Sequence, residues 1–260
     1  MSEIDTPVIV GREAALANPS AFAASIASED GALVLIDKPY GVTSFDIVNR
    51  LRKSVSLVTG IRRVKCGHAG TLDPLATGLL ILGTRRKTRA LASLVGLEKT
   101  YDLRMRFGVT SPSYDLERPI EIVGGGEHLT EEIVRAAIEA LPGEHSQVPP
   151  VFSAIKQRGK PVYKLARAGE EPTLQSRTIF VHKVEIVSID LPHVSFRVRV
   201  SKGTYIRSLV RDLAASLGTG GLLVDLRRES VGNWSISDAL SVEEAVNLTK
   251  HIATEFQAVQ

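Results

Sequence analysis

The sequence predicts an α+β fold in which helices flank a central mixed, largely antiparallel sheet. Two observations support this prediction. The predicted strands outnumber the helices that could connect them, and several consecutive strands have no helix between them. In addition, residues 178–189 and 194–200 alternate apolar and polar side chains around Leu191 and Pro192, as two paired strands do. A doubly wound parallel fold needs a helix after each strand, so this pattern disfavours it.

The individual elements follow from the same periodicities. Thr43 and Asp46 resemble a capping box, which begins a helix with Phe45, Val48 and Leu51 on one face. The predicted strands are residues 32–36, 79–82, 101–107, 178–189, 194–200, 222–226 and 231–236. The predicted helices are residues 43–53, 84–95, 130–141 and 204–217, and the predicted loops include residues 60–78 and 124–126.

The domain organisation predicted from composition is simple. The chain has 260 residues, of which 43% are hydrophobic, enough for one large domain, or one and a half, with a proper core. Residues 1–30 are rich in alanine and serine and are predicted to be an N-terminal extension. Residues 31–245 form the predicted main domain, and residues 246–260 a predicted C-terminal tail.

Several classes of protein are excluded by the sequence. No segment approaches the length of an apolar membrane-spanning helix, and the N-terminal residues MSEIDTPVIV carry acids where a secretory signal needs basic residues. A single cysteine, Cys66, excludes an internal disulfide and a thiolate zinc cluster, and the six histidines lack metal-ligand spacing. We therefore expect a cytoplasmic monomer that binds no metal and contacts no membrane.

Charge is distributed unevenly along the chain. The net charge is +3, but residues 1–30 have one arginine against five acids, and residues 229–260 have one lysine against five acids. Residues 31–228 consequently carry 30 basic and 19 acidic side chains. A basic body of this kind suits a polyanion such as nucleic acid, although a solvated basic surface gives the same count.

The most informative segment is the loop of residues 67–78, Gly-His-Ala-Gly-Thr-Leu-Asp-Pro-Leu-Ala-Thr-Gly. It holds one carboxylate, Asp73, among glycines that allow close approach of another backbone or a ligand. Pro74 biases Asp73 toward an extended conformation, and an apolar strand follows at residues 79–82. An aspartate in such a loop either caps a turn or is presented for chemistry.

This loop resembles the catalytic loop of the TruB family of tRNA pseudouridine synthases. Four further segments fit the family's order and extend the resemblance over residues 33–234. They are Lys38-Pro39-Tyr40-Gly41, Lys99-Thr100-Tyr101, the block Pro149-Pro150-Val151-Phe152-Ser153-Ala154-Ile155-Lys156 with Gly159, Tyr163, Ala166 and Arg167, and Ser201-Lys202-Gly203-Thr204-Tyr205-Ile206-Arg207. The resemblance implies a pseudouridine-synthase-like sheet with a basic catalytic cleft, and an enzyme without a cofactor.

The resemblance also implies three catalytic residues. Asp73 matches the essential aspartate, which acts as the nucleophile or as a base on the ribose of a flipped-out uridine. Arg207 matches the arginine that pairs with this aspartate and keeps it ionised. Tyr101 matches the tyrosine that stacks on the base and could assist proton removal. Without the motif, Arg207 would be assigned to a helix surface and Tyr101 to strand packing.

The remaining candidates would bind or position RNA. His68 matches a histidine that helps displace the base, while Tyr205 and Lys202 would shape the pocket; a surface histidine and a core tyrosine are the simpler alternatives. Basic runs would meet phosphates without reading sequence, unless they are merely solvated. The members of these runs chosen as RNA contacts are Arg62, Arg63, Arg85, Arg86, Lys87, Arg89 and Lys156.

Two departures of the chain from the family pattern bear on function. Family members usually have Gly-x-Ala-Thr before a basic residue, whereas here Thr88 and Arg89 fit and Arg85 and Lys87 replace the glycine and alanine. Only about 26 residues follow Trp234, so we expect no C-terminal RNA-binding PUA domain. The predicted activity is isomerisation of the T-loop uridine, position 55, in the T-arm of tRNA. The alternatives are a dyskerin-type synthase that uses guide RNA, or a non-catalytic tRNA chaperone.

Overall fold

The computed structural model describes residues 9–153, 156–157, 160–161 and 174–257, and the chain forms two compact units. The first unit comprises residues 1–97 and 227–260, and the second comprises residues 98–226. The first unit is therefore discontinuous in sequence, and the second is one uninterrupted stretch.

Strands and helices are numbered in chain order. The strands are β1 (Ile9–Val10), β2 (Leu33–Lys38), β3 (Cys66–His68), β4 (Thr77–Thr84), β5 (Lys99–Phe107), β6 (Val109–Thr110), β7 (Glu121–Ile122), β8 (Gly143–Gln147), β9 (Lys156–Gln157), β10 (Lys160–Pro161), β11 (Arg177–Asp190), β12 (His193–Val200), β13 (Gly221–Val231), β14 (Trp234–Ser235) and β15 (Leu240–Ser241). The α-helices are α1 (Arg12–Ala17), α2 (Pro19–Ala27), α3 (Ser44–Thr59), α4 (Leu91–Val95), α5 (Glu131–Glu139), α6 (Ile206–Ser216) and α7 (Val242–Gln257), and two 3-10 helices span Arg85–Ala90 and Ile236–Asp238.

The sheet of the first unit is mixed. Strand β2 pairs antiparallel with β4 and parallel with both β1 and β15, while β3 pairs antiparallel with β4. The end of β13 joins β4 in parallel, with Arg227 opposite Thr77 and Arg228 opposite Gly78. This last pairing brings a strand near the C-terminus beside the strand that follows the Asp73 loop.

Both faces of this sheet are covered, so its strands have apolar side chains on both sides. Val34 and Ile36 of β2 pack in a core with residues of α2, α3 and α7, among them Phe22 and Leu51. Leu33 and Leu35 of the same strand pack into a second core with Leu79, Ile81, Leu91, Leu94 and Val231. The continuous apolar run of β2 follows from this double burial.

The sheet of the second unit is antiparallel in its four longer strands. Strand β5 pairs with β12, β12 with β11, and β11 with β8. Strand β5 alternates as the sequence predicts, with Tyr101, Leu103 and Met105 buried and Arg104 exposed. The mixed, largely antiparallel sheet with flanking helices that the sequence predicts is thus confirmed. Among the described residues, no helix is both long and apolar enough to cross a membrane.

The N-terminal part of helix α3 confirms one prediction and corrects another. Thr43 is the N-cap, and its side chain and that of Asp46 form the predicted capping box. Val48 and Leu51 are buried as predicted, but Phe45 is exposed. The buried face runs through Ile47 instead, because Phe45 lies in the first turn, on the side of the helix that faces away from the core.

The segment predicted as a helix over 84–95 begins differently. Thr84 is the last residue of β4, and a 3-10 helix precedes the short helix α4. Arg85 has φ +51°, which glycine adopts more easily than arginine. The replacement of the family's usual glycine by Arg85 thus coincides with an unusual backbone at this point.

Described residues of the predicted extension and tail form regular structure, which includes helices α1 and α2 and most of α7. Ala15, Phe22 and Ile26 of the first 30 residues are buried in the core of the first unit, together with Leu248 of α7. The predicted boundary after residue 245 falls inside α7, since residues 246–257 belong to that helix. These side chains place α2 and the N-terminal part of α7 in the core of the first unit, where composition alone suggested an extension and a tail.

Candidate active site

Asp73 lies in the first unit, in the loop between β3 and β4. Glycines at both ends of this loop make close packing possible: Gly70 has φ +90° and Gly78 has φ +102°. A Cβ atom at Gly78 would lie 2.4 Å from the carbonyl oxygen of Arg228, so only glycine fits beside β13. Within the loop, the N–H of Ala76 donates to the carbonyl of Asp73 over 3.1 Å. The glycines predicted to allow close approach thus serve the loop's contact with Arg228.

Lys38 fixes the loop from one side. Its side chain is buried, and its Nζ donates to the carbonyls of Pro39 (3.0 Å), Val42 (2.8 Å) and Pro74 (3.2 Å). Burial lowers the pKa of Lys38 to about 8; the carboxylate of Asp73 opposes this shift and the charge of Arg228 adds to it. Lys38 therefore ties the turn that contains it to the residue that follows Asp73.

Arg228 fixes the loop from a second direction. Its side chain is buried; Nε donates to the carbonyl of Leu79 over 2.7 Å, and Nη2 donates to the carbonyl of Gly70 over 3.1 Å. A guanidinium has its donors in a rigid fork, so these two bonds set the positions of both ends of the loop. Two buried cations thus surround the segment that carries Asp73.

His68 and Cys66 precede Asp73 on β3. The pKa of His68 is lowered by burial and by the nearby charge of Arg228, while a hydrogen bond with the backbone of Gly70 offsets part of this shift. His68 is consequently neutral at pH 7. Burial raises the pKa of the Cys66 thiol to about 11, against the opposing influence of Arg52. A thiol in that state is a poor nucleophile at neutral pH.

Arg207 lies in the second unit, in the first turn of α6, and is buried. Its Nη1 donates to the carbonyl of Ser113 and its Nη2 to the carbonyl of Phe152, each over 2.9 Å. Its Nε lies 3.6 Å from the Oδ2 of Asp115, which is also buried. Arg207 is thus not a surface arginine, and the catalytic role that the resemblance implies for it stays a prediction.

The two tyrosines have different surroundings. Tyr101 is buried in β5, opposite Val198 of β12. The ring of Tyr205 lies 4.6 Å from the guanidinium of Arg177, and its backbone N–H and carbonyl are both hydrogen-bonded to the side-chain amide of Gln147. A cation over the ring and two amide bonds hold Tyr205 in place just before Arg207.

The predicted RNA contacts differ in how exposed they are. Lys202, Arg62, Arg63, Arg86 and Arg89 are exposed, and Arg85 and Lys87 are half-buried. Arg86 forms ion pairs with two acids of the N-terminal segment, Glu29 and, over 3.3 Å, Asp30. Lys156 is the first residue of β9, and Ala154, Ile155, Gly159, Tyr163, Ala166 and Arg167 of its motif lie outside the described residues.

Three polar residues around Asp73 and Arg207 are not among the predicted site residues. Lys38 stood in a recognised motif but without a role, and its buried carbonyl bonds have no sequence signal. Arg228 sits in a polar, charged run, residues 227–230, of a kind that is typical of a surface strand. Asp115 follows Tyr114, whose φ of +60° marks a tight turn, so only an unusual turn could have indicated it.

The structure thus groups Asp73 with His68, Lys38 and Arg228 in one unit, and Arg207 with Asp115 in the other. Tyr101, Tyr205 and Lys202 belong to the second unit as well. Among the described residues, no group of three or more histidine, cysteine, aspartate or glutamate side chains is arranged to hold a metal ion.

Comparison with known proteins gives consistent matches. The model of the TruB family pseudouridylate synthases, for their N-terminal domain, matches residues 58–206, more than half of the chain. The tRNA pseudouridine synthase B of Parabacteroides distasonis is 42% identical over 214 residues, which cover 82% of this chain and 91% of the relative. That of Chlorobaculum tepidum is 43% identical over 224 residues, covering 86% and 92%.

Solved structures give the same fold. A chain of a Cbf5-Nop10-Gar1 complex matches with a TM-score of 0.64 and 26% identity, and one of an archaeal box H/ACA sRNP Nop10-Cbf5 complex with 0.59 and 26%. Each match covers 86% of this chain but only 56% and 55%, respectively, of the other.

Proposed function

We infer the mechanism from one premise: the chain belongs to the TruB family of pseudouridine synthases. It is an enzyme that isomerises a uridine of tRNA to pseudouridine. In this reaction the bond between ribose C1′ and uracil N1 breaks, the base turns, and C1′ bonds to C5. C5 then loses its proton, and N1 takes up a proton. The composition of the RNA is unchanged, so the reaction consumes no oxidant or reductant.

We propose that Asp73 is the catalytic carboxylate, as the nucleophile or as the base that acts on the ribose. The observation that carries this proposal is the pair of buried cations, Lys38 and Arg228, whose bonds fix the backbone on both sides of Asp73. A reacting group must be held close to its productive geometry, and a loop gains such rigidity from surrounding bonds. The neutral state of His68 suits a residue that meets a neutral uracil.

We further propose that Arg207 and Tyr101 take part in the same reaction. The guanidinium of Arg207 is oriented before substrate arrives, by two carbonyls and the carboxylate of Asp115. A fork oriented in this way can stabilise negative charge without reorganisation. Tyr101 supplies a ring for stacking, and Tyr205, Lys202 and the basic runs would position the RNA.

The finer features of the substrate are proposals too. We propose the T-loop uridine at position 55 in the T-arm as the target, a cytoplasmic monomer as the active form, and no need for guide RNA. The identity of about 42% to enzymes named for tRNA over most of the chain favours this mode over a guide-RNA particle.

The test is incubation of the purified protein with unmodified tRNA transcript, without guide RNA, followed by mapping of pseudouridine. We expect one modified position in the T-loop, and no product from Asp73→Asn, which keeps the size of the side chain but removes its charge. The Asn variant should bind tRNA within about tenfold of the parent. Substantial turnover by Asp73→Asn would sink the assignment of Asp73.

A further inference from the structure

Two large aromatic side chains near the Asp73 loop face solvent. Tyr40 is 58% exposed and Phe45 is 59% exposed, whereas aromatic rings usually contribute to a core or an interface. Both belong to the segment that leaves β2 and enters α3. A single exposed aromatic needs no explanation, but two at the edge of a reactive loop do.

The segment is bonded to the Asp73 loop next to each ring. The N–H of Gly41, the residue after Tyr40, donates to the carbonyl of Pro74 over 2.9 Å. Ser44, the residue before Phe45, donates from its hydroxyl to the carbonyl of Leu72 over 3.0 Å and accepts from the N–H of Leu72 over 2.9 Å. Each ring is therefore one residue away from a contact with a direct neighbour of Asp73.

Backbone structure holds this segment rigidly although the rings are exposed. Thr43 and Asp46 form a capping box, and the Thr43 hydroxyl also donates to the Asp46 carboxylate over 2.6 Å. Gly41 has φ +82°, which fixes a sharp turn between the two rings. Exposed rings on a rigid backbone lose little entropy when a ligand covers them, as a preorganised binding surface should.

A cation accompanies the rings. The guanidinium of Arg52 lies 5.8 Å from the centre of the Phe45 ring, and its Nη2 lies 3.5 Å from the carbonyl of Cys66 in β3. Arg62 and Arg63 are exposed in the segment that leads to β3. Aromatic rings beside arginines are the combination that binds single-stranded or unstacked RNA, through base stacking and phosphate contacts.

We propose that Tyr40 and Phe45 form a base-stacking surface for tRNA beside the Asp73 loop, an inference that rests on the proposed function. When the target uridine leaves the RNA stack, its neighbours lose a stacking partner. The two rings would replace that partner and hold the flanking bases while the uridine reaches Asp73. A protein partner fits less well, because two rings expose far less than the roughly 800 Å² per side of a stable protein interface.

The experiment compares tRNA affinity among variants in the Asp73→Asn background, where turnover does not change the RNA. Tyr40→Ala and Phe45→Ala should each weaken binding about 5- to 100-fold. Tyr40→Phe and Phe45→Tyr keep a ring and should stay within about twofold of the parent. Leu57→Ala is the matched control, because Leu57 is 76% exposed on the same helix α3 without a bond to the Asp73 loop.

A second measurement separates stacking from general damage. The parent should bind tRNA with an abasic nucleotide beside the target uridine more weakly than intact tRNA. The Tyr40→Ala/Phe45→Ala double variant should bind the two RNAs with equal affinity. Thermal denaturation of each variant verifies folding. The proposal would be overturned if the abasic nucleotide lowered the affinity of the parent and the double variant equally, or if the alanine variants bound tRNA like the parent. It would also be overturned if the alanine substitutions abolished only self-association in sedimentation experiments.

Failure of this inference can be told apart from failure of the proposed function. The stacking surface is judged by affinity, which needs no turnover. The role of Asp73 is judged by product formation in the otherwise native enzyme. If the alanine variants lost tRNA affinity and Asp73→Asn still formed pseudouridine, the stacking surface would be supported and the catalytic assignment of Asp73 rejected.

Discussion

Each of the two units buries an arginine, and the two side chains are held in different ways. Arg228 in the first unit is 1% exposed and donates to two backbone carbonyls at the ends of the Asp73 loop. Arg207 in the second unit is 3% exposed and has the Asp115 carboxylate within 3.6 Å in addition to two carbonyls. The comparison teaches that two buried guanidiniums with similar carbonyl bonds can differ in charge environment, because Arg207 also faces a buried carboxylate.

The largest effect expected is on stability, from Arg228. Replacement by Met in the variant Arg228→Met leaves the carbonyls of Gly70 and Leu79 buried without their donor, and should lower the free energy of unfolding by about 4 kcal/mol. Arg227→Ala is the matched control, since its ion pair with Asp37 is half-exposed and should contribute less than about 1 kcal/mol. Urea denaturation measures both. Equal losses would mean that Arg228 does not hold the loop.

The second prediction concerns pH and Lys38. In the folded protein its pKa is about 8, against 10.5 ordinarily, so between these values the unfolded chain binds more protons than the folded one. The free energy of unfolding should therefore rise with pH across this window, by about 3 kcal/mol relative to the variant Lys38→Met. Below pH 8 the two proteins should show parallel profiles. A constant difference from pH 7 to 10.5 would contradict the burial of a charged Lys38.

The third prediction tests the function of Arg207. Arg207→Lys keeps the charge but replaces the rigid fork by a point charge on a flexible stem. The fold and most tRNA affinity should persist, while the single-turnover rate falls by at least about a hundredfold, near 2.7 kcal/mol. Asp115→Asn should lower the rate as well if orientation of the guanidinium matters. If both variants kept the single-turnover rate of the parent, Arg207 would have a structural role and no role in the reaction.

The smallest effect concerns the acids that face Arg86. Glu29 and Asp30 form ion pairs with the guanidinium of Arg86, which is predicted to bind phosphate. Because the double variant Glu29→Gln/Asp30→Asn removes both acids, it should bind tRNA about two- to fivefold more tightly at low salt. The added Arg86→Ala substitution should remove the gain and reduce the salt dependence by about one counterion. If none of the three substitutions changed tRNA affinity, Arg86 would not be part of the RNA-binding surface.

Much of this fold was predictable because local signals agreed with tertiary packing. The alternation of β5, the capping box of α3 and the glycine-rich loop with Asp73 each reflect one local rule. Strand β13 continues to Val231, whereas the predicted strand ends at residue 226, because the polar run from Arg227 to Ser230 hides its continuity. Pairing with β4 overrides that local composition.

The site was predictable only where a motif named its residues. The candidates Asp73, Tyr101 and Arg207 were predicted by resemblance, whereas the bonds of Lys38 and Arg228 to backbone carbonyls leave no trace in sequence. Phe45 shows the opposite case, an aromatic expected in the core that the helix turns outward. Buried polar networks depend on three-dimensional neighbours, so periodicity cannot reveal them.

The bond from Arg228 to Gly70 joins residues 158 positions apart in the chain. A ribosome therefore releases the Asp73 loop long before the strand that locks it, and the whole contiguous second unit is synthesised in between. Contacts of such long range form late in folding, after shorter loops have closed. The backbone around Asp73 therefore reaches its final arrangement only after the strand that carries Arg228 has been made.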